Sequence, residues 1–329
     1  MLSVIDFSRV SDQPNPFEAV REWCDELMRQ YQHRRSMTSI FEKGMVRLLR
    51  VRGFMSHFVP TESGMIHVMT GAGEGDMAPV VLFHGLASCG AHYSPMMRHL
   101  RKEVREIILP DAPGHGQSAT PPEEQTHEDF QDSLNKAVAS LITEPAVVFG
   151  NSMGGFIGIR FALAHPDKVR ALILCSPGGA AMSQSELDNF LELFRMKSHR
   201  DSLDFLKRAF GKVPPFRHIV AWRVRHRFSS KILQQRLDSL KSDDLLSPEE
   251  LSQLKVPVVL IWGQEDGILP TQCLDFFQEH LPDNTRVIEP PEYGHAPFVR
   301  HAKSLAGHIV DLLAELRMES NWKPHWFDS

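Results

Sequence analysis

From residue 79 onward, the chain alternates short apolar, β-branched runs with stretches of helical periodicity. The runs span residues 79–83, 104–109, 145–149, 171–175, 256–262 and 285–289. Strands that are apolar along their whole length have to be covered on both faces, and the intervening helices provide that cover. The alternation therefore predicts an α/β fold with a mostly parallel, doubly wound sheet.

Two segments depart from this alternation. Residues 179–250 are almost entirely helical in pattern, and Ser183 with Glu186 forms a capping box at the start of the first helix. We interpret this segment as a helical insertion between two halves of one sheet, residues 53–178 and 251–329.

Residues 1–52 form the second departure, an N-terminal extension with two amphipathic stripes. Apolar residues recur at helical spacing over 17–31 and 37–48, and basic residues are interleaved with them. Packing on the body of the protein, or on a second copy in a homodimer, is the favoured use of such stripes. Contact with a membrane surface is the less favoured alternative.

Charge and cysteine usage narrow the class of protein. The formal net charge is -5, which gives no general attraction to nucleic acid. The N-terminus lacks the pattern of a secretory signal, and no stretch is apolar enough to span a membrane. Four dispersed cysteines without a CxxC pair predict a reduced, cytoplasmic setting: Cys24, Cys89, Cys175 and Cys273.

The stretch GNSMGG contains the candidate nucleophile, Ser152. The apolar run before it predicts a strand, and the segment after it predicts a helix that ends before Pro166. Gly150 and Gly154 flank the serine two residues away on either side, where a side chain would crowd a sharp strand-to-helix turn. The pattern is that of a nucleophile elbow, although Gly-x-Ser-x-Gly alone also occurs by chance.

A candidate acid and a candidate base follow the serine in the chain. Asp266 comes just after the apolar run 256–262, and His295 lies in the loop after the last predicted strand. Serine, acid, histidine is the order expected of an elbow-type triad, with each residue at the carboxyl end of a strand. Glu265, adjacent to Asp266, is the rival acid.

Backbone donors for a developing oxyanion are predicted at two positions. Leu86 follows the strand at 79–83, and Met153 opens the helix after the serine, so both N–H groups are placed to donate. His84 is interpreted as a structural residue that bonds within its own loop.

These motifs resemble those of the α/β-hydrolase family. The resemblance rests on HGLAS at 84–88, LPDAPGHGQS at 109–118, GNSMGG at 150–155, WGQEDGILP at 262–270 and GHAPF at 294–298. It implies that the insertion is the family's helical cap above the pocket, and that Asp111 has a structural role in its loop. The family's spacing from Gly263, and Pro270 after the acid, favour Asp266 over Glu265.

The expected reaction is hydrolysis of a carboxylic ester through an acyl-enzyme on Ser152. A serine at the elbow argues against the dehalogenases and epoxide hydrolases of the family, which carry aspartate there. The expected partner is a small, apolar acyl substrate, with no cofactor and no metal. Two alternatives stay open: a carbon-carbon hydrolase of ring-fission products, which GNSMGG resembles, and a silent binding protein on a hydrolase scaffold.

The insertion is also rich in aromatic residues and carries a basic run at 217–228. Most of the aromatic residues are assigned to the core of the insertion and the remainder to the pocket. The basic run is interpreted as a solvated helix face, with attraction of an acidic substrate or lipid head group as the alternative.

Overall fold

An eight-stranded sheet organises the part of the protein that the structure describes. The computed structural model describes residues 40–211 and 217–318. The strands are β1 (Met55–Thr61), β2 (Gly64–Ala72), β3 (Val80–Phe83), β4 (Glu106–Pro110), β5 (Ala146–Ser152), β6 (Val169–Pro177), β7 (Val258–Ile261) and β8 (Arg286–Ile288). Their order is β1-β2-β4-β3-β5-β6-β7-β8, with β1 and β2 antiparallel to their neighbours and the rest parallel. The predicted α/β class and mostly parallel sheet are confirmed.

The hairpin of β1 and β2 was not among the predicted strands. β1 is half-exposed along most of its length because it forms the edge of the sheet. An edge strand does not need apolar residues on both faces, so its sequence lacks the continuous apolar run that marks the central strands. Gly64, with φ +95°, starts β2 at the hairpin turn.

Eleven α-helices of the described residues surround the sheet. They are α1 (Ile40–Val51), α2 (Ser94–Leu100), α3 (His127–Ala139), α4 (Met153–Ala164), α5 (Gln184–Leu191), α6 (His199–Phe210), α7 (Arg217–Phe228), α8 (Lys231–Asp238), α9 (Pro248–Ser252), α10 (Thr271–His280) and α11 (Ala302–Met318). Within the described residues, no helix combines the length and the hydropathy needed to cross a membrane.

The sheet is buried on both faces, as its apolar strands require. On one face, alternate strand residues pack with α1, α2 and α11. On the other face, the intervening residues pack with α3, α4, α9 and α10. This two-sided cover explains why the central strands carry β-branched and leucine side chains at successive positions.

The segment predicted as an insertion contains helices α5 to α8 and a hydrophobic cluster of its own. The predicted capping box at α5 is present, since Ser183 accepts from the Glu186 N–H while the Glu186 carboxylate accepts from the Ser183 N–H. α9 lies across the predicted boundary at residue 250, and its Leu251 packs with the core of the sheet. The domain boundaries themselves stay predictions.

Part of the N-terminal extension is described. α1 covers most of the second predicted stripe, but its buried face is offset from that stripe. Val46 and Leu49 belong to the same buried cluster as residues of α2 and α11, whereas Leu48, which the stripe includes, is 47% exposed. The first stripe, residues 17–31, lies outside the described residues. The homodimer and membrane-surface interpretations of the extension stay predictions.

Candidate active site

Ser152 occupies the last position of β5, immediately before α4. Its backbone has φ +57° and ψ -124°, a conformation that non-glycine residues rarely adopt. Such strain is stored where the surrounding structure imposes it, commonly at functional sites. The predicted elbow geometry is present, with a strand before the serine and a helix directly after it.

Steric contacts explain the glycines of the elbow. A Cβ atom at Gly150 would lie 2.1 Å from the Gly154 carbonyl oxygen, and one at Gly154 would lie 2.1 Å from the Phe83 carbonyl oxygen. Both distances are far below van der Waals contact with backbone atoms. The turn therefore excludes side chains at both positions.

Asp266 and His295 are in direct contact. The Asp266 Oδ2 atom lies 2.8 Å from His295 Nδ1, and Asp266 Oδ1 accepts from the backbone N–H groups of Ile268 and Leu269. Burial tends to raise the pKa of Asp266, but the adjacent His295 and these N–H groups outweigh it and lower that pKa. Asp266 is thus an ionised acceptor, and His295 Nδ1 donates to it. With its proton on Nδ1, the neutral imidazole has Nε2 as its acceptor. The rival Glu265 is exposed.

The loop that carries His295 is fastened to the elbow. The Asn151 amide nitrogen donates to the His295 carbonyl at 2.8 Å and to the Cys175 carbonyl at 2.9 Å. Asn151 directly precedes Ser152 and is buried. This bridge holds the histidine loop beside the serine, so the structure brings all three predicted triad residues to one edge of the sheet.

The two predicted oxyanion donors also reach this edge. A Cβ atom built on Gly85 would lie 3.3 Å from Ser152 Cβ, so the turn after β3 passes close to the nucleophile. That turn is closed by the Ser88 N–H, which donates to the Gly85 carbonyl, and Ala87 within it has φ +58°. Leu86, Met153 and Ser152 line the same cavity.

Two neutral histidines support the turn of residues 85–88, which we call the oxyanion turn. His84 Nδ1 donates to the Gly85 carbonyl, and its Nε2 accepts from the Ala112 N–H. His115 Nδ1 donates to the Pro113 carbonyl, and its Nε2 accepts from the Ala87 N–H at 3.2 Å. Burial lowers the pKa of His84, and it lowers the pKa of His115 to about 3. Both rings can therefore act as acceptors at neutral pH.

Asp111 fixes the neighbouring loop, in agreement with the structural role that the resemblance implied. Its carboxylate accepts from the Gly90 N–H, the Gln117 N–H and His67 Nδ1. Burial tends to raise the pKa of Asp111, yet these bonds, above all the one to His67, lower it to about 2.

A cavity of about 200 Å³ lies between the sheet and helices α5 and α8. Its walls are mainly apolar and come from both sides, including Phe156 of α4, Phe190 of α5 and Phe194 just after it. Among the described residues of the insertion, the other aromatic side chains do not line it. Phe205 and Phe228 pack in the insertion's own cluster, and Trp222 is 63% exposed. The cavity suits an apolar substrate portion.

Sequence reasoning missed a buried ion pair at the rim of this cavity. Arg227 of α7 donates to Glu42 of α1 at 2.7 Å, and both side chains are almost fully buried. The available signal was the position of Arg227 on the apolar face of α7, in line with Val220, Val224 and Phe228. A cation on such a face requires a partner when it is buried.

The same neighbourhood holds a group of potential metal ligands. Ligand atoms of Glu42, Cys89 and His92 lie within 4.8 Å of one another. Burial raises the pKa of the Cys89 thiol well above its usual range, and Arg227 already neutralises Glu42. A protonated thiol beside a guanidinium is poorly suited to a metal ion, so we interpret the group as part of the ion pair.

Comparisons with known proteins agree with this architecture. The chain is 29% identical over 249 residues to a pimeloyl-[acyl-carrier protein] methyl ester esterase of Nitrosomonas europaea, covering 71% of this chain and 94% of that protein. It is 26% identical to Lipase 1 of Psychrobacter immobilis, covering 67% and 72%.

Solved structures of similar fold include a bacterial membrane phospholipase A and the naproxen esterase of Bacillus subtilis. The phospholipase has a TM-score of 0.70 at 22% identity, covering 84% of this chain and 93% of that one. The naproxen esterase has a TM-score of 0.64 at 20% identity, covering 82% and 96%. At these identities the likeness concerns the fold.

A sequence model of the alpha/beta hydrolase fold matches residues 78–302. That range includes strands β3 to β8, the elbow and the loops that carry Asp266 and His295. Because the match spans more than half of the chain, the protein belongs to the alpha/beta hydrolase family of enzymes.

Proposed function

We propose that the protein hydrolyses carboxylic esters with an apolar acyl group through an acyl-enzyme on Ser152. The observation that carries the proposal is the Asp266–His295 contact, which orients the imidazole at the edge where the elbow presents Ser152. The apolar cavity beside Ser152 supports the choice of acyl group.

In the first half of the reaction, Ser152 Oγ attacks the ester carbonyl and His295 Nε2 takes its proton. Ionised Asp266 holds the Nδ1 proton and stabilises the imidazolium as it forms. The backbone N–H groups of Leu86 and Met153 donate to the carbonyl oxygen, which becomes an oxyanion. Met153 also lies at the N-terminus of α4, where the helix dipole favours negative charge.

Collapse of the tetrahedral species then breaks the bond to the alcohol. The imidazolium gives its proton to the leaving oxygen, and Ser152 keeps the acyl group as an ester. A water molecule, deprotonated by His295, attacks this acyl-enzyme in the second half. The acid departs, and Ser152 recovers its proton, so one ester and one water give one acid and one alcohol.

The named relatives support an ester substrate over the carbon-carbon alternative. The two sequence relatives quoted above are called an esterase and a lipase, and both names denote ester hydrolysis. In addition, the oxyanion turn is short, with Leu86 and Ala87 where the ring-fission enzymes usually carry more glycine.

The test is turnover of a series of p-nitrophenyl esters of increasing acyl length, together with a ring-fission diene. We expect turnover of the esters, no turnover of the diene, and labelling of Ser152 by a fluorophosphonate. Exclusive turnover of the diene would favour the carbon-carbon hydrolase. The absence of both turnover and labelling would favour a binding protein.

A matched control separates the nucleophile from other serines of the cavity. Ser230 also lines the cavity but has ordinary backbone angles at the start of α8. Ser152→Ala is expected to abolish labelling and to leave only residual turnover, whereas Ser230→Ala retains both. Equal activity of Ser152→Ala and the wild type would overturn the assignment of the nucleophile.

A further inference from the structure

We infer that Arg227 is a positioning residue for the oxyanion turn, and that Glu42 of the N-terminal helix α1 holds it in place. The inference rests on the proposed function, because it concerns residues that position the proposed oxyanion donor Leu86. It gives the N-terminal extension a part in catalysis.

Arg227 bonds to both Glu42 and the oxyanion turn. One terminal nitrogen donates to Glu42 at 2.7 Å, and the other donates to the Ser88 carbonyl at 3.2 Å. Ser88 is the last residue of the oxyanion turn, two residues after Leu86. A single planar guanidinium therefore joins α1, α7 and the turn, and its fork geometry fixes the directions of both bonds.

The oxyanion turn has a strained backbone that bonds from its surroundings hold in place. Ala87 has φ +58°, which a residue with a side chain adopts only when its surroundings impose it. Within the turn, the Ser88 N–H donates to the Gly85 carbonyl, and His84 Nδ1 donates to the same carbonyl. Other bonds tie the turn to its surroundings: the Ala87 N–H to His115, the Ser88 hydroxyl to His92, and Arg227 to the Ser88 carbonyl. Arg227 is the one that comes from the helical segment above the sheet.

Glu42 is a buried carboxylate whose charge has to be balanced by a neighbouring cation. Its side chain is 1% exposed, and His92 lies 3.9 Å from its carboxylate. Burial, and then the nearby Arg227, lower the pKa of His92 to about 3, so His92 is neutral under ordinary conditions. Arg227 pairs with Glu42 as a cation, and the buried carboxylate in turn keeps the guanidinium in one orientation.

The arrangement has a consequence for the reaction. Donors of an oxyanion hole act through exact placement, and small displacements of a donor lower the rate of the chemical step. Loss of the Arg227 bond frees one end of a strained turn and displaces the Leu86 N–H. The rate constant kcat should fall, while binding of the substrate in the ground state changes little.

The experiment compares two variants that differ in what they remove. Glu42→Gln/Arg227→Met removes both charges, so that no unpaired charge remains buried, and it also removes the bond to Ser88. Arg227→Lys keeps a cation for Glu42, but its single nitrogen loses the forked geometry. Arg195→Met/Asp238→Asn removes an exposed ion pair of the same helical segment and serves as the control.

We expect the double variant to keep a melting temperature close to that of the wild type. Its kcat should fall about tenfold, with KM within twofold. Inhibition by an alkyl trifluoromethyl ketone, whose adduct with Ser152 mimics the tetrahedral species, should weaken by the same factor as kcat/KM. Arg227→Lys should show the same split, and the Arg195/Asp238 control should match the wild type in all measurements.

Several results would overturn the inference. One is wild-type kcat in a folded double variant, and another is a fall in kcat that follows the unfolded fraction. A rise in KM at constant kcat would mean that Arg227 acts on substrate binding instead. If the double variant does not fold, wild-type kcat in Arg227→Lys is equally decisive. If the proposed function itself is wrong, the wild-type protein will lack ester turnover, so that outcome can be told apart from failure of the inference on Arg227.

Discussion

Two buried contacts between an acid and a base serve different regions of this protein. Asp266 and His295 lie in loops after β7 and β8, within one sheet edge. Glu42 and Arg227 lie on α1 and α7, 185 residues apart in the chain, and join two helical additions to the sheet. The first contact orients a reacting group, whereas the second fastens the structure around it.

The two contacts arise from different features of the fold, the first from sheet topology and the second from helix packing. Parallel strands bring their carboxyl ends to a common edge, so topology alone places Asp266 and His295 together. No such rule connects α1 with α7, and their contact follows from the packing of two amphipathic faces. The first pair should therefore govern the chemical step directly, and the second should act through stability and positioning.

The largest effect is expected when the contact between Asp266 and His295 is disrupted. Asp266→Asn removes the charge that holds the Nδ1 proton and stabilises the imidazolium, so kcat for ester hydrolysis should fall by about 10⁴-fold. Steady-state kinetics with a p-nitrophenyl ester would measure it. Glu265→Gln is the matched control, since Glu265 is exposed and adjacent in the chain. A larger loss in Glu265→Gln than in Asp266→Asn would reverse the assignment of the acid.

Much of this first region could be predicted from the sequence. The central strands are apolar on both faces, and Gly150 and Gly154 of GNSMGG are required by contacts under 2.5 Å that any side chain would make. Motif order then placed the serine, acid and histidine at strand ends. Each of these features is encoded in a short stretch of the chain, and such stretches can be recognised in a single sequence.

The second region could not be predicted in the same way. A helix at α1 was expected, but its predicted apolar stripe included Leu48, which is exposed, and missed Val46 and Leu49, which are buried. The partner of the helix was not predicted, because an amphipathic pattern indicates a buried face without indicating what covers it. Arg227 was grouped with the exposed cations of a basic run, although Arg225 is exposed and Arg227 is buried. The edge strand β1 was missed for a related reason, since a half-exposed strand lacks a continuous apolar run. β2 is buried, but His67 and Thr70 interrupt its apolar residues.

A second prediction tests how firmly the elbow depends on local sterics. Gly154→Ala places a Cβ atom 2.1 Å from the Phe83 carbonyl oxygen, and we expect a loss of about 2 to 3 kcal/mol in the free energy of unfolding. Gly307→Ala is the matched control, because Gly307 lies within α11 with no atom within 4 Å of its added Cβ. The control should gain about 0.5 to 1 kcal/mol. Urea unfolding of both variants measures the contrast, which is contradicted if both shift in the same direction.

A third prediction uses pH to examine the support of the oxyanion turn. The pKa of buried His115 is lowered to about 3 in the folded protein, whereas an unfolded histidine titrates near 6.5. The unfolded state therefore binds an extra proton between these values, and the stability contributed by neutral His115 is lost as the pH falls below 6.5. His115→Gln lacks this proton, so its free energy of unfolding should depend less on pH.

The difference in slope between the wild type and His115→Gln should reach about 1.4 kcal/mol per pH unit near pH 5. Urea unfolding at pH 7, 6 and 5 provides the measurement, and only the slopes are compared, because the substitution also changes stability at neutral pH. Parallel curves for the two proteins would mean that His115 is protonated in the folded state.

The smallest expected effect concerns an ion pair without burial. Arg105 and Glu144 approach to 2.6 Å, closer than Glu42 and Arg227, yet both side chains are about half exposed. Water and salt screen such a pair, so a double-mutant cycle of Arg105→Met and Glu144→Gln should give a coupling below about 1 kcal/mol. The same cycle at Glu42 and Arg227 should give a larger coupling, because each single variant removes one charge of a buried ion pair and leaves the other buried.

Burial, and not the distance between the charged atoms, then distinguishes the pair that fastens α1 to α7. Equal couplings at the two sites would remove that distinction, and with it the reason to expect the orientation of Arg227 to depend on Glu42.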